Sequence, residues 1–129
     1  MSKELLRHVY SEASKGNPQP LLDSLDDDVR WTIIGSTPLS GTYEGRREVV
    51  EGLLGGLRAR LVGPVAFSFE RFIEEGEYVV MQASGQATAI SGASYDNTYC
   101  IVARIVNGKI REMTDYVDTE LITKALFSD

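Results

Sequence analysis

The sequence predicts an α+β fold in which helices cover one face of a curved antiparallel sheet. Two observations support this class: helical spacing dominates the first half of the chain, and a series of strand-like segments with short turns between them follows residue 64. The chain has 129 residues, of which 43% are hydrophobic. That length suffices for one hydrophobic core and is too short for two, so we expect residues 1–129 to form a single domain.

The helices are predicted from local sequence signals. Apolar residues three and four positions apart, beginning with Leu5 and Val9, place one apolar stripe on the first helix. Asn17 followed by Pro18 is a cap and first-turn pair that starts a second, shorter helix. Asp118 is the expected cap of the last helix. The predicted helices cover residues 5–16, 18–25, 46–61 and 118–127.

The strands are predicted from the alternation of apolar and polar side chains. Val29, Trp31 and Ile33 alternate with polar residues and give the first strand one buried face. The Asn107-Gly108 pair predicts a tight hairpin between the last two strands. Residues 35–45 are interpreted as a loop because of their composition. The predicted strands cover residues 26–34, 65–73, 78–90, 95–106 and 109–117.

Composition and charge disfavour several classes of function. Cys100 and His8 are the only cysteine and histidine, so no disulfide framework is possible and we expect no metal site. A formal net charge of −6 disfavours a nucleic-acid partner, which needs a clustered basic face. The basic cluster at residues 57–60 is interpreted as a solvated helix end. No segment has the pattern of a membrane span or signal peptide, so we expect a cytoplasmic protein with no membrane partner.

Asp115 is the residue whose place in the sequence most needs an explanation. It lies inside the last predicted strand, between Thr114 and Tyr116, although strands disfavour aspartate. Alternation puts it on the same face as Met113 and Val117. If that face lines an apolar cavity, loss of hydration raises the carboxyl pKa toward neutral pH, where proton transfer is efficient. Composition alone leaves open whether this face is buried or meets water.

Four short motifs, LDDDVRW, SGTYEGRREV, DNTYCIVARIVNGKI and DYVDT, and the order of the elements resemble the SnoaL-like and ketosteroid-isomerase-like branch of the nuclear transport factor two-like superfamily. The resemblance covers nearly the whole chain. It implies a cone-shaped sheet wrapped around helices with an internal pocket, a cystatin-like α+β barrel, and a homodimer formed through the outer sheet face. Similar proteins include isomerases, aldol cyclases, epoxide hydrolases, dehydratases and binding modules, so the fold does not select an activity.

The resemblance also implies which side chains face the pocket. Asp115 is the implied general acid and base, and Asn97 and Tyr99 are the implied hydrogen-bond donors to a substrate carbonyl. An alternative for Tyr99 is ordinary core packing, with its hydroxyl satisfied by a neighbour. The implied apolar walls of the pocket are Trp31, Met113 and Val117.

Residues 79–89 allow two interpretations. In the first, Gln82 and Gln86 face water while the small apolar row that includes Met81 and Ala87 faces the core, which periodicity favours. In the second, the glutamines line a polar pocket and the small row forms a flat dimer surface, which the resemblance favours. The second interpretation makes Gln82 a candidate substrate-binding residue.

The sequence departs from the residue sets of two related enzyme groups. A steroid isomerase of similar fold needs an acid near the end of the first strand, a tyrosine on the first helix and a protonated acid in the fourth strand. Those places hold Ile33, Val9 and about Ile101, and a slip of one residue supplies only the tyrosine, Tyr10. The epoxide hydrolases need an arginine between two acids, and no Arg-x-Asp occurs on the strands beside Asp115. Aldol cyclases need only a cavity, an inward acid and donors for an enolate.

Two main hypotheses of function follow. The first is a small cofactor-independent enzyme of the cyclase or isomerase kind, with Asp115 transferring protons on a hydrophobic cyclic or polyketide-like carbonyl compound. The second is a non-catalytic module of the same fold that binds a small hydrophobic ligand or forms a dimer. Burial of Asp115 beside donors in a concave cavity favours the first hypothesis. A third possibility, partner binding through the outer sheet, requires an exposed apolar patch that includes Met81 and Ala87.

Overall fold

Helices α1 (Ser2–Ser14) and α2 (Gln19–Ser24) open the part of the chain that the computed structural model describes, residues 2–128. Both lie where the spacing of apolar residues and the Asn-Pro pair predict them. The start of α2 differs in detail, because the Asn17 side chain makes no cap and instead donates a hydrogen bond to Glu12 at 3.1 Å. None of the helices within the described residues is both long enough and apolar enough to cross a membrane.

The other two helical regions contain π-helical turns. The third predicted helix is a π-helical segment, Glu48–Leu54, that continues as α3 (Gly55–Arg58). The last is α4 (Thr119–Leu121), which continues as the π-helical segment Ile122–Leu126. The Asp118 side chain accepts a hydrogen bond at 3.2 Å from the backbone N–H of the last residue of α4, which confirms Asp118 as the cap.

A curved, open sheet packs against these helices and confirms the predicted α+β class. Its strands are β1 (Leu25–Ile33), β2 (Gly41–Glu44), β3 (Leu61–Glu75), β4 (Tyr78–Ala89), β5 (Thr98–Val106) and β6 (Lys109–Val117). They lie side by side in the order β2-β1-β6-β5-β4-β3. The sheet stays open because its two edge strands, β2 and β3, do not pair with each other. At the β5–β6 turn, Asn107 and Gly108 both have positive φ angles, as the predicted tight hairpin requires.

The neighbouring strands β1 and β6 are parallel, whereas the other strand pairs are antiparallel. A parallel pair needs a long crossover between its strands, and here the chain from β2 to β5 supplies it. The register places Trp31 opposite Met113 and Ile33 opposite Asp115. Two residues from distant parts of the sequence, Trp31 and Asp115, are thereby brought to one end of this parallel pair.

Strand β2 lies within residues 35–45, where composition predicts only a loop. It pairs with β1 at the edge of the sheet and places Tyr43 beside Trp31. The strand is short and mostly exposed, so it lacks the alternation by which a half-buried strand is recognised.

Bulges interrupt the regular alternation of the sheet. The register of β5 and β6 shifts between Arg104 and Ile105, which leaves Arg111 as an extra residue on β6. Ile110 is therefore buried and Arg111 exposed, the reverse of what strict alternation from Asp115 predicts. Further register shifts occur in β3, and bulges of this kind bend strands and support the curvature of the sheet.

The concave face of the sheet carries the core. On β4, Val79, Met81 and Ala83 are fully buried, and Gln82 points to the opposite face. The periodicity interpretation of this strand is therefore correct, and the interpretation that placed the small row on a dimer surface is wrong. The exposed patch required for partner binding is also absent at its expected centre, because Met81 has no exposed surface.

Candidate active site

A cavity of about 600 Å³ lies between the concave face of the sheet and helices α1, α2 and α3. Pockets that hold small molecules are typically about 300–1,000 Å³. The lining is mainly apolar, and among the described residues that form it only Asp115 and Arg58 carry a charge. The most exposed lining residues mark its mouth, namely Gly16, Pro18, Arg58, Gly63 and Pro64.

A smaller cavity of about 50 Å³ adjoins the first. The two share Trp31, Tyr99 and Asp115 among their lining residues. Tyr95 and Val117 line the smaller cavity only. Asp115 therefore lies where the two cavities meet.

The Asp115 carboxylate is oriented by a single hydrogen bond. Its residue is 8% exposed, and the Trp31 indole Nε1–H donates to Oδ1 at 2.9 Å. Oδ2 accepts no hydrogen bond from any residue within 2–128. In that same part of the chain, no fully enclosed side-chain nitrogen or oxygen atom lacks a partner. Oδ2 therefore keeps some accessible surface. Because Asp115 lines the cavity, this oxygen can contact a molecule bound there.

Burial gives Asp115 the proton affinity of a group that titrates near neutral pH. Desolvation raises its pKa from 3.8 to about 7, and the hydrogen bond from Trp31 opposes part of this rise. A carboxyl group with such a pKa is present in both protonation states at physiological pH. It can therefore remove a proton in one step of a reaction and return it in another.

Two tyrosine hydroxyl groups accompany the carboxylate. Tyr10 of α1 and Tyr99 of β5 both line the larger cavity. Burial raises the pKa of each phenol, and the negative charge of Asp115 adds to the rise. Both phenols consequently stay protonated near neutral pH, and each keeps an O–H group that can donate. The Tyr10 hydroxyl has no hydrogen-bond partner within residues 2–128. The Tyr99 hydroxyl interacts with that of Tyr95, and their hydrogen bond contributes to the raised pKa of Tyr99.

An aromatic wall connects the two tyrosines. The Phe67 ring lies edge to face with Tyr10 at a centroid distance of 5.1 Å and with Tyr99 at 5.0 Å. Gly85 makes room for this wall, because a Cβ at that position would lie 2.8 Å from Tyr99 Cε1 and 2.8 Å from a Val65 methyl group. The glycine on β4 therefore decides where the Tyr99 ring lies.

Asn97 is buried, but it lines neither of the two cavities. Its Oδ1 accepts hydrogen bonds from the backbone N–H groups of Thr98 at 2.7 Å and Asp118 at 3.0 Å. Its Nδ2 donates to the Tyr95 hydroxyl at 3.1 Å and to the Asp118 carbonyl at 3.2 Å. The amide thus uses its full hydrogen-bonding capacity within the protein. The expectation that Asn97 binds a substrate carbonyl is corrected, because no donor remains for a ligand.

Gln82 does not belong to the cavity. Its side chain lies on the convex face of β4, where it accepts a hydrogen bond from Arg71 of β3. Strand alternation gives the inward positions on either side to Met81 and Ala83, which are fully buried. The expectation that Gln82 contacts a substrate is therefore corrected.

The three residues expected to form apolar walls have different positions. Trp31 lines both cavities, and Val117 lines the smaller one. Met113 is 1% exposed and lies in the core beside Trp31 without lining either cavity. Of the residues proposed from the sequence, the structure brings together Trp31, Tyr99 and Asp115 at the larger cavity.

Some residues that line the cavity were not predicted from the sequence. Tyr10 leaves a usable signal, since it follows Leu6 by four positions and precedes Ala13 by three and so lies on the buried stripe of α1. Arg58 and residues 63–65 leave none. They reach the cavity only because α3 and the start of β3 are folded across the open end of the sheet.

Other reactive side chains lie away from the cavity. His8 is exposed on α1, as expected from its place beside the buried stripe. Cys100 is partly buried on the row of β5 opposite to Tyr99. Within residues 2–128, no group of three or more histidine, cysteine, aspartate or glutamate side chains is arranged to hold a metal ion.

Comparison with known proteins gives one family and several similar structures. The family profile of the SnoaL-like domain matches residues 6–113, which is more than half of the chain. None of the curated proteins matches the sequence. An NTF2-like protein of unknown function from Burkholderia pseudomallei K96243 is 25% identical, with a TM-score of 0.85, covering 98% of this chain and 97% of that one.

Two further structures share the fold at lower identity. TerC, crystallised with polyporic acid, is 23% identical with a TM-score of 0.82, and the match covers 97% of both chains. A protein from Jannaschia sp. CCS1 assigned as a SnoaL-like polyketide cyclase is 14% identical with a TM-score of 0.78, covering 98% of this chain and 91% of that one. At these identities the likeness shows the fold alone.

Proposed function

The chain belongs to the SnoaL-like domain family, and on that basis we propose that it is a small cofactor-independent enzyme that transfers protons on a hydrophobic cyclic or polyketide-like carbonyl compound. One observation carries the proposal. The carboxyl group of Asp115, with its pKa near 7, lies at an apolar cavity beside the hydroxyl groups of Tyr10 and Tyr99. Titratable groups perturbed in this way are concentrated at catalytic sites.

In the proposed reaction, Asp115 first acts as a base. Its ionised Oδ2 removes a proton from the carbon next to a substrate carbonyl, and the electron pair of that C–H bond moves onto the carbonyl oxygen. The hydroxyl groups of Tyr10 and Tyr99 donate hydrogen bonds to the enolate oxygen that forms. Trp31 holds Oδ1 and so keeps the carboxylate in one orientation.

The protonated Asp115 then acts as an acid. Where a C=C bond is conjugated with the enolate, returning the proton to the far carbon of that bond shifts the double bond and gives an isomer of the substrate. If the enolate carbon instead attacks a second carbonyl in the same molecule, Asp115 protonates the new alkoxide and a ring has closed. Neither outcome gains or loses electrons, which is why the proposal needs no cofactor.

The test is α-proton exchange in D₂O, followed by ¹H NMR, with a panel of cyclic and linear 1,3-dicarbonyl compounds. Wild-type protein is expected to accelerate exchange of at least one compound at pH 7 to 8. Asp115→Asn is expected to lower that rate by about 10²-fold or more, because general base catalysis typically contributes about 10²–10⁴-fold.

Asp27→Asn is the matched control, since Asp27 is an exposed carboxylate on β1 that lines neither cavity. It should exchange protons at the wild-type rate. Equal rates for wild type and Asp115→Asn on every compound that exchanges would contradict the role of Asp115.

A second candidate function is ligand binding without catalysis, and the mainly apolar lining of the cavity favours it. Polyporic acid, with which TerC was crystallised, is a first compound to titrate. Saturable binding to a protein that exchanges no compound of the panel would favour this function over the enzyme.

We further propose that two copies of the chain associate through the outer face of the sheet. Ile73, Val80 and Val102 lie side by side on that face, and Tyr116, which pairs with Cys100 two residues along β5 from Val102, is 47% exposed. Sedimentation should show a dimer that Tyr116→Glu weakens, while Ser36→Glu, in the exposed loop after β1, leaves the dimer unchanged. A monomer at all concentrations would contradict the proposal.

A further inference from the structure

The lining of the larger cavity contains one buried acidic residue and one exposed basic residue. Asp115 lies inside it and is 8% exposed, whereas Arg58 is an exposed residue at its mouth. The lining between them is apolar apart from the polar edges of Trp31, Tyr10 and Tyr99. A molecule that fills this cavity therefore meets a carboxylate at one end and a guanidinium at the other.

Arg58 has none of the structural contacts that hold the neighbouring arginines. Arg60 donates a hydrogen bond to the Leu126 carbonyl at 2.9 Å, and its guanidinium lies 4.0 Å from the centre of the Phe127 ring. Arg46 donates to two backbone carbonyl groups near the junction of α2 and β1. Arg58, in contrast, has no hydrogen-bond or ion-pair partner within residues 2–128. Its guanidinium is free to bind a ligand.

The net negative charge of the protein gives the positive charge of Arg58 particular weight for ligand binding. A formal net charge of −6 repels anions in general, and a free guanidinium offsets that repulsion locally. Guanidinium groups bind oxyanions through paired hydrogen bonds. A second anion beside the ionised Asp115 carboxylate would suffer repulsion and loss of hydration, so an anionic group is disfavoured at the inner end. The anionic end of a ligand therefore belongs at the mouth.

We propose that the substrate is an amphiphilic anion: an apolar carbonyl compound with one anionic oxygen group at the end remote from the reacting carbon, held at the cavity mouth by Arg58. This inference rests on the proposed function, in which Asp115 acts on the buried end of the molecule. Arg58 then fixes the direction in which the substrate enters, and a neutral analogue of the same size binds more weakly.

The experiment compares two fluorescent probes that differ in a single charge. 8-Anilinonaphthalene-1-sulfonate carries a sulfonate, and N-phenyl-1-naphthylamine has the same ring system without it. The substitution Arg58→Gln is expected to raise the Kd of the sulfonate probe about fivefold, which is the effect of losing one partly solvated charge pair. Fluorescence titration measures this Kd. The Kd of the neutral probe should stay within about twofold of wild type, and Arg58→Lys should retain most of the affinity for the sulfonate.

Two further variants serve as controls. Arg47→Gln removes one positive charge near α3, where Arg47 forms a surface ion pair with Glu51 and lines neither cavity. It should leave both Kd values unchanged. Leu57→Trp adds bulk to the cavity lining and should weaken both probes, which locates their binding there.

The outcomes separate this inference from the proposed function. If Arg58→Gln weakens binding of the sulfonate probe and not of the neutral probe, the inference is supported, even if no compound of the dicarbonyl panel exchanges protons. Equal changes for both probes, equal effects of Arg58→Gln and Arg47→Gln, or no binding of the sulfonate probe to wild type would overturn it, even if exchange that depends on Asp115 is observed.

Discussion

At the scale of single residues, Asp115 shows how a fold changes the chemistry of a side chain. In the unfolded chain it is an ordinary aspartate in water, and folding encloses it between strands that carry Ile33 and Ile101. One indole N–H replaces its hydration at Oδ1. The pKa rises because that single hydrogen bond does not replace the water lost around the whole carboxylate.

This pKa makes the protein less stable as the pH rises. Because the folded-state pKa of Asp115 is about 7 and the unfolded value is 3.8, the folded state binds the proton more tightly. Protonated Asp115 therefore contributes about 4 kcal/mol to the free energy of unfolding. This contribution is fully present below pH 4 and is lost as the pH rises to 7. The stability of Asp115→Asn relative to wild type should therefore increase by about that amount between pH 4 and pH 8.

Urea unfolding of both proteins at a series of pH values measures this difference. Asp27→Asn, at an exposed position, should show no such trend relative to wild type. A constant difference between Asp115→Asn and wild type across the whole range would mean that Asp115 has an ordinary pKa.

Trp31 is predicted to hold the Asp115 pKa below the value that burial alone would give. Trp31→Phe removes the N–H donor that stabilises the charged carboxylate and keeps an apolar ring, so the pKa should rise by about one unit. Titration followed by the ¹³C NMR signal of the Asp115 carboxyl carbon measures it. Met113→Leu, a buried change beside Trp31 that removes no hydrogen bond, should leave the pKa as it is. An unchanged pKa in Trp31→Phe would show that the hydrogen bond has no electrostatic effect.

At the scale of elements, close packing between strands β4 and β5 fixes the position of the Tyr99 ring, which lines the cavity. Strand β4 offers a row of small side chains, and β5 lays Tyr99 across it at Gly85. Asn97, immediately before β5, joins the sheet to the cap of α4. Gly85 and Asn97 therefore support the cavity without lining it.

Gly85→Ala is predicted to destabilise the fold by about 1–3 kcal/mol, the usual cost of overpacking. Its new methyl group would lie 2.8 Å from the Tyr99 ring and from a Val65 methyl group, so one of them must move. Gly56→Ala is the matched control. Apart from the backbone of its own helix and its two chain neighbours, no atom of residues 2–128 lies within 4 Å of a Cβ there, and the change should stabilise α3 by up to about 1 kcal/mol. Thermal unfolding distinguishes the two, and equal melting temperatures for both variants would contradict the packing argument.

Asn97→Ala is predicted to cost stability rather than ligand affinity. It leaves the backbone N–H groups of Thr98 and Asp118 without their Asn97 acceptor and removes the hydrogen bond to the Tyr95 hydroxyl, at a cost of about 2–4 kcal/mol. Chemical denaturation measures the loss, and Thr98→Ala, at the exposed neighbouring position, should be close to neutral. Titration with N-phenyl-1-naphthylamine should give nearly the wild-type Kd. If the variant keeps its stability but binds the probe much more weakly, Asn97 contacts the ligand after all.

At the scale of the whole molecule, the fold leaves its concave side only partly filled. The side chains of the sheet and the helices leave a cavity of about 600 Å³ between them. Its cost is the contact that its lining side chains lack. A ligand that fills it should return part of that stability.

Ligand binding is therefore predicted to stabilise the protein against unfolding. At about 100 times its Kd, N-phenyl-1-naphthylamine should raise the free energy of unfolding by about 2.7 kcal/mol, since it binds the folded state only. Urea unfolding with and without the probe measures the gain. Leu57→Trp, which adds bulk at the cavity lining, should show a smaller gain at the same probe concentration. No shift of the wild-type midpoint would mean that the cavity does not bind the probe.

The sequence by itself determined where most helices and strands lie and which of their side chains are buried. Spacing and alternation placed the helices and most of the strands, and local chemistry identified the Asp118 cap and the Asn107-Gly108 turn. Alternation also put Asp115 and Tyr99 on rows that prove to be buried. These features depend on residues a few positions apart, and such short-range rules are written in the sequence.

Only the tertiary structure decided which of these residues form the site. The contact between Trp31 and Asp115 joins positions 84 apart and exists because β1 pairs with β6. The same long-range packing uses up the amide of Asn97 and leaves Arg58, at the mouth, without a partner among residues 2–128. Such outcomes depend on which distant groups compete for one another, and that competition is settled only when the chain closes around its core.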